Sequence, residues 1–404
     1  MSTILFAWEL GAGMGHLAPH RELLRSLLER GHAVHVVSRD LARAGRAFEG
    51  LALRYWQAPL SQHRPEMVYQ PTISAAHILH NVGFADVADV TLRIEAWRNL
   101  LSGIRPELVL ADYSPTALLA LRGSGIRTAT IGMGFCLPPL QSPLPAFSTL
   151  SHLRTAEQLA DDESRVVRTI NAALQQHGLS AVTSVADVFH ATDLHVLNTV
   201  CELDHYPERG TVDYAGLPPE RPGARVVWPM GQRRRVFAYL KPFEALDALL
   251  ELLNKLELPS IVACDGLSAD SRRKHTSATM TFAPPNVDLA QMARECYLAI
   301  TNGNHTTTAR LLLAGKPVMI IPLHLEQELI AAAVQRLGAG VAVRPKEPPD
   351  AYRQLAELLN QKKYHESAEA FAAKYRVGGA TASVESLIDR LTSPLENASA
   401  APPV

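Results

Sequence analysis

The feature that most narrows the fold of this chain is a strand running straight into a cluster of glycines and then a helix. Ile4 to Trp8 is a short apolar run, Gly11-Ala12-Gly13-Met14-Gly15 follows it, and Pro19 stands where the first turn of a helix tolerates proline. Leu23, Leu24, Leu27 and Leu28 then carry helical spacing up to Gly31, and a second apolar strand, Ala33 to Val37, begins at once. Strand, glycine turn, helix and strand within about 35 residues form a βαβ unit, and its crossover requires parallel strands. Leu108 to Ala111 and Thr128 to Ile131 continue the pattern.

After a proline-rich stretch that opens near Leu217, the alternation restarts. Strands are predicted at Val236–Leu240, Ser260–Cys264, Leu298–Thr301, Pro317–Ile321 and Gly340–Val343, and helices at Phe243–Leu256, Thr306–Leu313 and Gln327–Leu337. Continuous Val/Ile/Leu strands are the mark of parallel sheets covered on both faces. The expected fold is therefore α/β, with two Rossmann-like doubly wound domains facing each other across a cleft. Residues 1–217 are expected to form an amino-terminal Rossmann-like domain, 218–233 a linker, 234–392 a second domain, and 393–404 a small, polar, flexible tail. In such sheets ligands bind beyond the carboxyl ends of the strands. Residues 59–100 and the proline-rich loop 137–147 fit the alternation poorly, and excursions of this kind commonly shape binding sites.

Composition removes several classes of function. Lys plus Arg number 39 and Asp plus Glu 40, a net charge of −1, so no basic excess marks a nucleic-acid partner or a polybasic membrane patch. No apolar run approaches the roughly 20 residues of a membrane span. The four cysteines, Cys136, Cys201, Cys264 and Cys296, form no CxxC pair, and the first apolar strand opens with no basic leader before it. A cytoplasmic enzyme is expected.

Two polar residues stand at strand ends of the first domain. A dinucleotide fingerprint would place a third glycine near His16, and its absence disfavours a nicotinamide enzyme. His16 instead emerges where a neutral imidazole can take a proton from a hydroxyl, provided a carboxylate orients it. Asp112, which ends the strand Leu108 to Ala111, is the candidate; the competing reading is that both residues merely cap helices. His16 and His20 are four apart, a metal-ligand spacing, but no third ligand is evident and no metal site is expected.

Gly13-Met14-Gly15-His16-Leu17-Ala18-Pro19 resembles the amino-terminal motif of the UDP-glycosyltransferases, family 1 inverting glycosyltransferases of the GT-B fold. The resemblance implies that His16 is the catalytic base, that Asp112 holds it, and that Gly13, Met14 and Gly15 form an acceptor-side loop. Farther on, Asn302-Gly303-Asn304-His305-Thr306-Thr307-Thr308, with Ala314-Gly315-Lys316-Pro317 behind it, resembles the donor signature of the same family. That implies a nucleotide-diphosphate sugar, UDP- or dTDP-linked, as co-substrate, with its diphosphate at the start of a helix, where amides favour anions. Glu326-Gln327 matches the acidic-Gln pair that holds donor-sugar hydroxyls. No cofactor is implied, and the acceptor is expected to be a small molecule or secondary metabolite.

The chain departs from that pattern at several points. The family's diphosphate-contacting histidine aligns with Asn302, and Asn304 and Thr306 replace glycines. The first strand of the second domain runs into Lys241-Pro242. Lys241 is either a point-charge phosphate ligand that replaces the missing histidine or a solvated lysine at a helix start. Alternatives consistent with the sequence are a catalytically silent GT-B homologue acting as a partner protein, and a sugar-nucleotide epimerase. Tyr69, His77, His80 and Trp97 either line an acceptor pocket or belong to the core.

Overall fold

The computed structural model describes residues 1–399 apart from 63, 220, 221, 232, 285, 345–347, 377, 378 and 382. Two six-stranded sheets, parallel throughout, organise it. The first contains β1 (Thr3–Trp8), β2 (Ala33–Ser38), β3 (Arg54–Gln57), β4 (Leu108–Asp112), β5 (Arg127–Gly132) and β6 (Leu194–Leu197), in the order β3-β2-β1-β4-β5-β6. The second contains β7 (Val236–Leu240), β8 (Ser260–Cys264), β9 (Met280–Phe282), β10 (Leu298–Thr301), β11 (Val318–Ile320) and β12 (Gly340–Ala342), in the order β12-β11-β10-β7-β8-β9. Both orders are those of a doubly wound sheet. The winding reverses between β1 and β4 in one sheet and between β7 and β10 in the other, which places a binding crevice at each of those points.

The alternation of β1 shows why its residues form a central strand. Ile4, Phe6 and Trp8 face a core shared with Leu23, Leu24 and Leu27, while Leu5 and Ala7 face the core of Ile94 and Trp97. Both faces are covered, so the strand reads as one apolar run. Strands β3, β6 and β9 were not foreseen. β3 is an exposed edge strand with the sequence Arg-Tyr-Trp-Gln, and β9 is only three residues long, so neither carries a hydrophobic period.

The chain forms two compact units that do not follow the expected contiguous boundaries. One comprises Met1–Thr199, Tyr206–Pro219 and Thr381–Val404; the other comprises Val200–His205 and Glu220–Ala380. The expected flexible tail is largely a helix, Val384–Ser399, which lies in the first unit, while residues 400–404 lie outside the described residues. Leu387, Ile388 and Leu391 of that helix are buried against the core of Leu23, Leu24 and Leu27, and Arg30 pairs with Asp389 at 2.6 Å. The stretch read as a linker is tied down on the second unit, where Ala224 bridges Val287 and Trp228 Nε1 donates to Glu295 Oε2 (2.8 Å).

Candidate active site

The register of the first sheet sets the site. Trp8 and Asp112 are neighbours across β1 and β4, so the glycine turn after β1 lies beside the last residue of β4. Leu10 N–H donates to Tyr113 O (3.0 Å), which joins the two loops where the winding reverses. His16 lies in a single helical turn, Met14–His16, and its Nδ1–H donates to Asp112 Oδ1 at 2.9 Å. The imidazole is sandwiched between Trp8 (5.4 Å between ring centroids, 19°) and Tyr113 (6.3 Å, 18°). Tyr113 holds the left-handed backbone region at φ 44°, which a non-glycine residue adopts only where its surroundings enforce it.

Asp112 is buried, and burial alone pushes its carboxyl up. The His16 charge and the hydrogen bonds from His16 and His20 outweigh that and hold it below the ordinary value. An ionised Asp112 accepts from Nδ1 of His16, so the lone pair of the neutral ring is on Nε2. Gly11 faces that nitrogen: a Cβ built there would stand 2.2 Å from Nε2. The glycine turn therefore gives Nε2 its room, and the pairing of His16 with Asp112 replaces the reading in which each caps a helix. The helix Pro115–Leu121 takes its buried amino-terminal acceptor from Glu9, whose Oε2 receives the N–H groups of Thr116 (3.0 Å) and Ala117 (3.3 Å). Burial raises the Glu9 carboxyl, opposed by the charge of Arg93.

Cys136 was not singled out by sequence. Its Sγ and the ligand atoms of His16 and Asp112 lie within 4.8 Å of one another, and among the described residues they are the cluster able to hold a metal ion. The second oxygen of Asp112 is taken by His20 Nε2 at 2.7 Å. Met14 is exposed on the loop expected to face the acceptor, where Gly13 turns through φ 90°.

In the second unit the expected donor residues gather at the carboxyl ends of β7, β10 and β11. Asn302 is fully buried. Its Oδ1 accepts the Lys241 N–H (2.6 Å) and its Nδ2 donates to Ile321 O (2.8 Å), so it ties three strand ends together. Its carbonyl oxygen and one of its two amide hydrogens are thus engaged within the fold. Lys241 is exposed, and partial desolvation together with the Lys241 charge holds His324 below its ordinary value. Gly303 turns through φ 88° against Ile320 and Gln327, where a Cβ would meet atoms at 3.0 Å. Asn304 stands at the N-cap of the helix His305–Leu313, and Thr306 and Thr307 lie half-buried in its first turn. His305 does not share that surface. It is buried beside His205 at 5.6 Å, and burial pushes its imidazole down to about 4 against the upward pull of Asp204. Glu326 is half-buried; Gln327 is buried, with Oε1 accepting the Leu323 N–H (2.8 Å).

The aromatic and histidine candidates for an acceptor pocket serve as braces. Trp97 is core. His77 pairs with Asp162 (2.9 Å) and stacks on Tyr69 at 3.9 Å, and His80 Nε2 donates to Met67 O (2.9 Å). Together they pin the 67–73 loop to the helices beneath it.

No protein-family model matches the chain. Its sequence is 26% identical over 321 residues to the PGL/p-HBAD biosynthesis rhamnosyltransferase of Mycobacterium bovis, covering 71% of this chain and 69% of that one, and matches its Mycobacterium tuberculosis counterpart equally. Among solved structures, the calicheamicin glycosyltransferase CalG4 has a TM-score of 0.73 at 19% identity, covering 99% of both chains. The glycosyltransferase VinC, solved with dTDP, has a TM-score of 0.67 at 17% identity, covering 98% of this chain and 100% of that one. Among the described residues no helix is long and apolar enough to cross a membrane. Two doubly wound units, a histidine held by an aspartate after β1, and these relatives agree: the chain has the GT-B fold and is similar to glycosyltransferases.

Proposed function

We propose that this protein moves a sugar from a nucleotide-diphosphate sugar to a hydroxyl of a small-molecule acceptor, with inversion at the anomeric carbon and without a metal. The observation that carries the reading is the buried His16–Asp112 pair, with Nε2 facing the space that Gly11 leaves open. Nε2 takes the hydroxyl proton as the acceptor oxygen forms its bond to the anomeric carbon. The bond from that carbon to the diphosphate oxygen breaks on the opposite face, and Asp112 stabilises the imidazolium. The departing diphosphate is met by the first-turn amides of His305–Leu313, the hydroxyls of Thr306 and Thr307, and the charge of Lys241. Glu326, with the amide of Gln327 as a minor contributor, is assigned to the sugar hydroxyls. Relatives named as rhamnosyltransferases and a neighbour solved with dTDP support a UDP- or dTDP-linked hexose as donor. None of the four cysteines is in a disulfide, which supports a reducing, cytoplasmic setting.

A thermal-shift screen over UDP, dTDP and their sugars tests the donor side. The stabilising donor is then incubated with a panel of hydroxylated acceptors and the product's anomeric configuration is read by NMR. Stabilisation by a nucleotide diphosphate and an inverted product that His16→Ala cannot form are expected. Binding without transfer to any acceptor would point to a silent homologue, and donor conversion without acceptor to an epimerase.

A further inference from the structure

We propose that His20 is a positioning residue that completes the base as a three-member chain, His16–Asp112–His20. Asp112 presents one oxygen to each histidine: Oδ1 to His16 Nδ1 at 2.9 Å and Oδ2 to His20 Nε2 at 2.7 Å, with all three residues buried. A carboxylate held through one oxygen keeps a broad terminal torsion. The second donor, on the opposite oxygen, removes that freedom and fixes the plane in which Oδ1 meets His16.

His20 is itself fixed. It closes the turn Ala18–His20, its N–H donates to Leu17 O (3.0 Å), and its ring lies 5.0 Å from that of Phe6 on β1. Residues from β1, the glycine turn and the following turn thus converge on the last residue of β4.

The kinetic part rests on the glycosyl-transfer reading; the pairing does not. The test compares the full-length protein with His20→Gln, whose amide nitrogen reaches the place of Nε2, and His20→Leu, which has no donor. His20→Leu should lower kcat roughly 10–100-fold, the scale seen when outer-shell partners of a functional histidine are lost. KM for the donor should stay within about two-fold, since no donor-binding residue is touched. His20→Gln should recover most of kcat. Histidine side-chain NMR of the unaltered protein should show two N–H protons shifted downfield by a carboxylate, at Nδ1 of His16 and Nε2 of His20. Unchanged kcat in His20→Leu, or a glutamine no better than leucine, would overturn the role. A single downfield N–H in the unaltered protein would overturn it even where the leucine variant does not fold or no acceptor is known.

Discussion

At Gly11 the backbone turns through φ 84°, and the space a side chain would fill is the space in front of Nε2 of His16. Gly11→Ala is therefore expected to abolish transfer while leaving nucleotide-diphosphate affinity unchanged, measured by calorimetry alongside product formation. Asp112→Asn tests the neighbouring link. The amide keeps the shape but brings an N–H where only acceptors stood, so one of the two histidines must change tautomer or lose its bond. Its kcat should fall by about 10²–10⁴, as for a misassigned tautomer in a histidine–aspartate pair, with donor affinity intact. His16 and Asp112 were legible because each stands at the end of an apolar strand, where a polar residue has few structural reasons to be. His20 was not, because its spacing from His16 reads equally well as a ligand pair or a helix face, and only the fold shows that one carboxylate separates them. Asn302 was legible as an alignment position and not as a role: sequence cannot show that both ends of its amide are already engaged.

Elements decide how the loop after β10 is supported. The short segment Val200–His205 belongs to the second unit, and Lys374 and Tyr375 hold Glu202 of that segment, with Lys374 Nζ 2.9 Å from Oε1. Beneath it His305 is kept neutral by burial. An imidazole held below its unfolded value makes the folded state the weaker proton binder. Its contribution to stability is therefore full above 6.5 and is lost as pH falls from there toward about 4. Over that window the loss should reach about 3 kcal/mol, from about 1.4 kcal/mol per pH unit. Denaturant unfolding between pH 7 and pH 4 should show a shallower slope in His305→Gln than in the unaltered protein; identical slopes would remove His305 as the cause. Most strands of this unit were visible in sequence because burial on both faces makes them uniformly apolar. β9 was not, because three residues leave no pattern to read.

For the whole molecule, contiguity in sequence is a poor guide to which residues fold together. Small, polar residues after Ser393 suggested a tail, yet the helix that contains them is anchored upstream, by Leu387, Ile388 and Leu391. Ile388→Ala should destabilise the first unit by about 2–5 kcal/mol, the range for deleting a large aliphatic side chain from a core. Nucleotide-diphosphate binding at folding conditions should be unchanged, because the residues proposed to hold the donor lie in the other unit. Chemical denaturation followed by Trp8 and Trp97 fluorescence reports the first quantity and calorimetry the second. The same helix has a consequence for how the protein is made. Leu23, Leu24 and Leu27 are synthesised more than 300 residues before Leu387, Ile388 and Leu391, which complete their cluster. While the second unit is being made, that face of the nascent first unit holds only the packing that β1, β2 and their neighbours in the cluster supply. The last part of the core behind β1 is therefore laid down after the whole of the second unit has been translated.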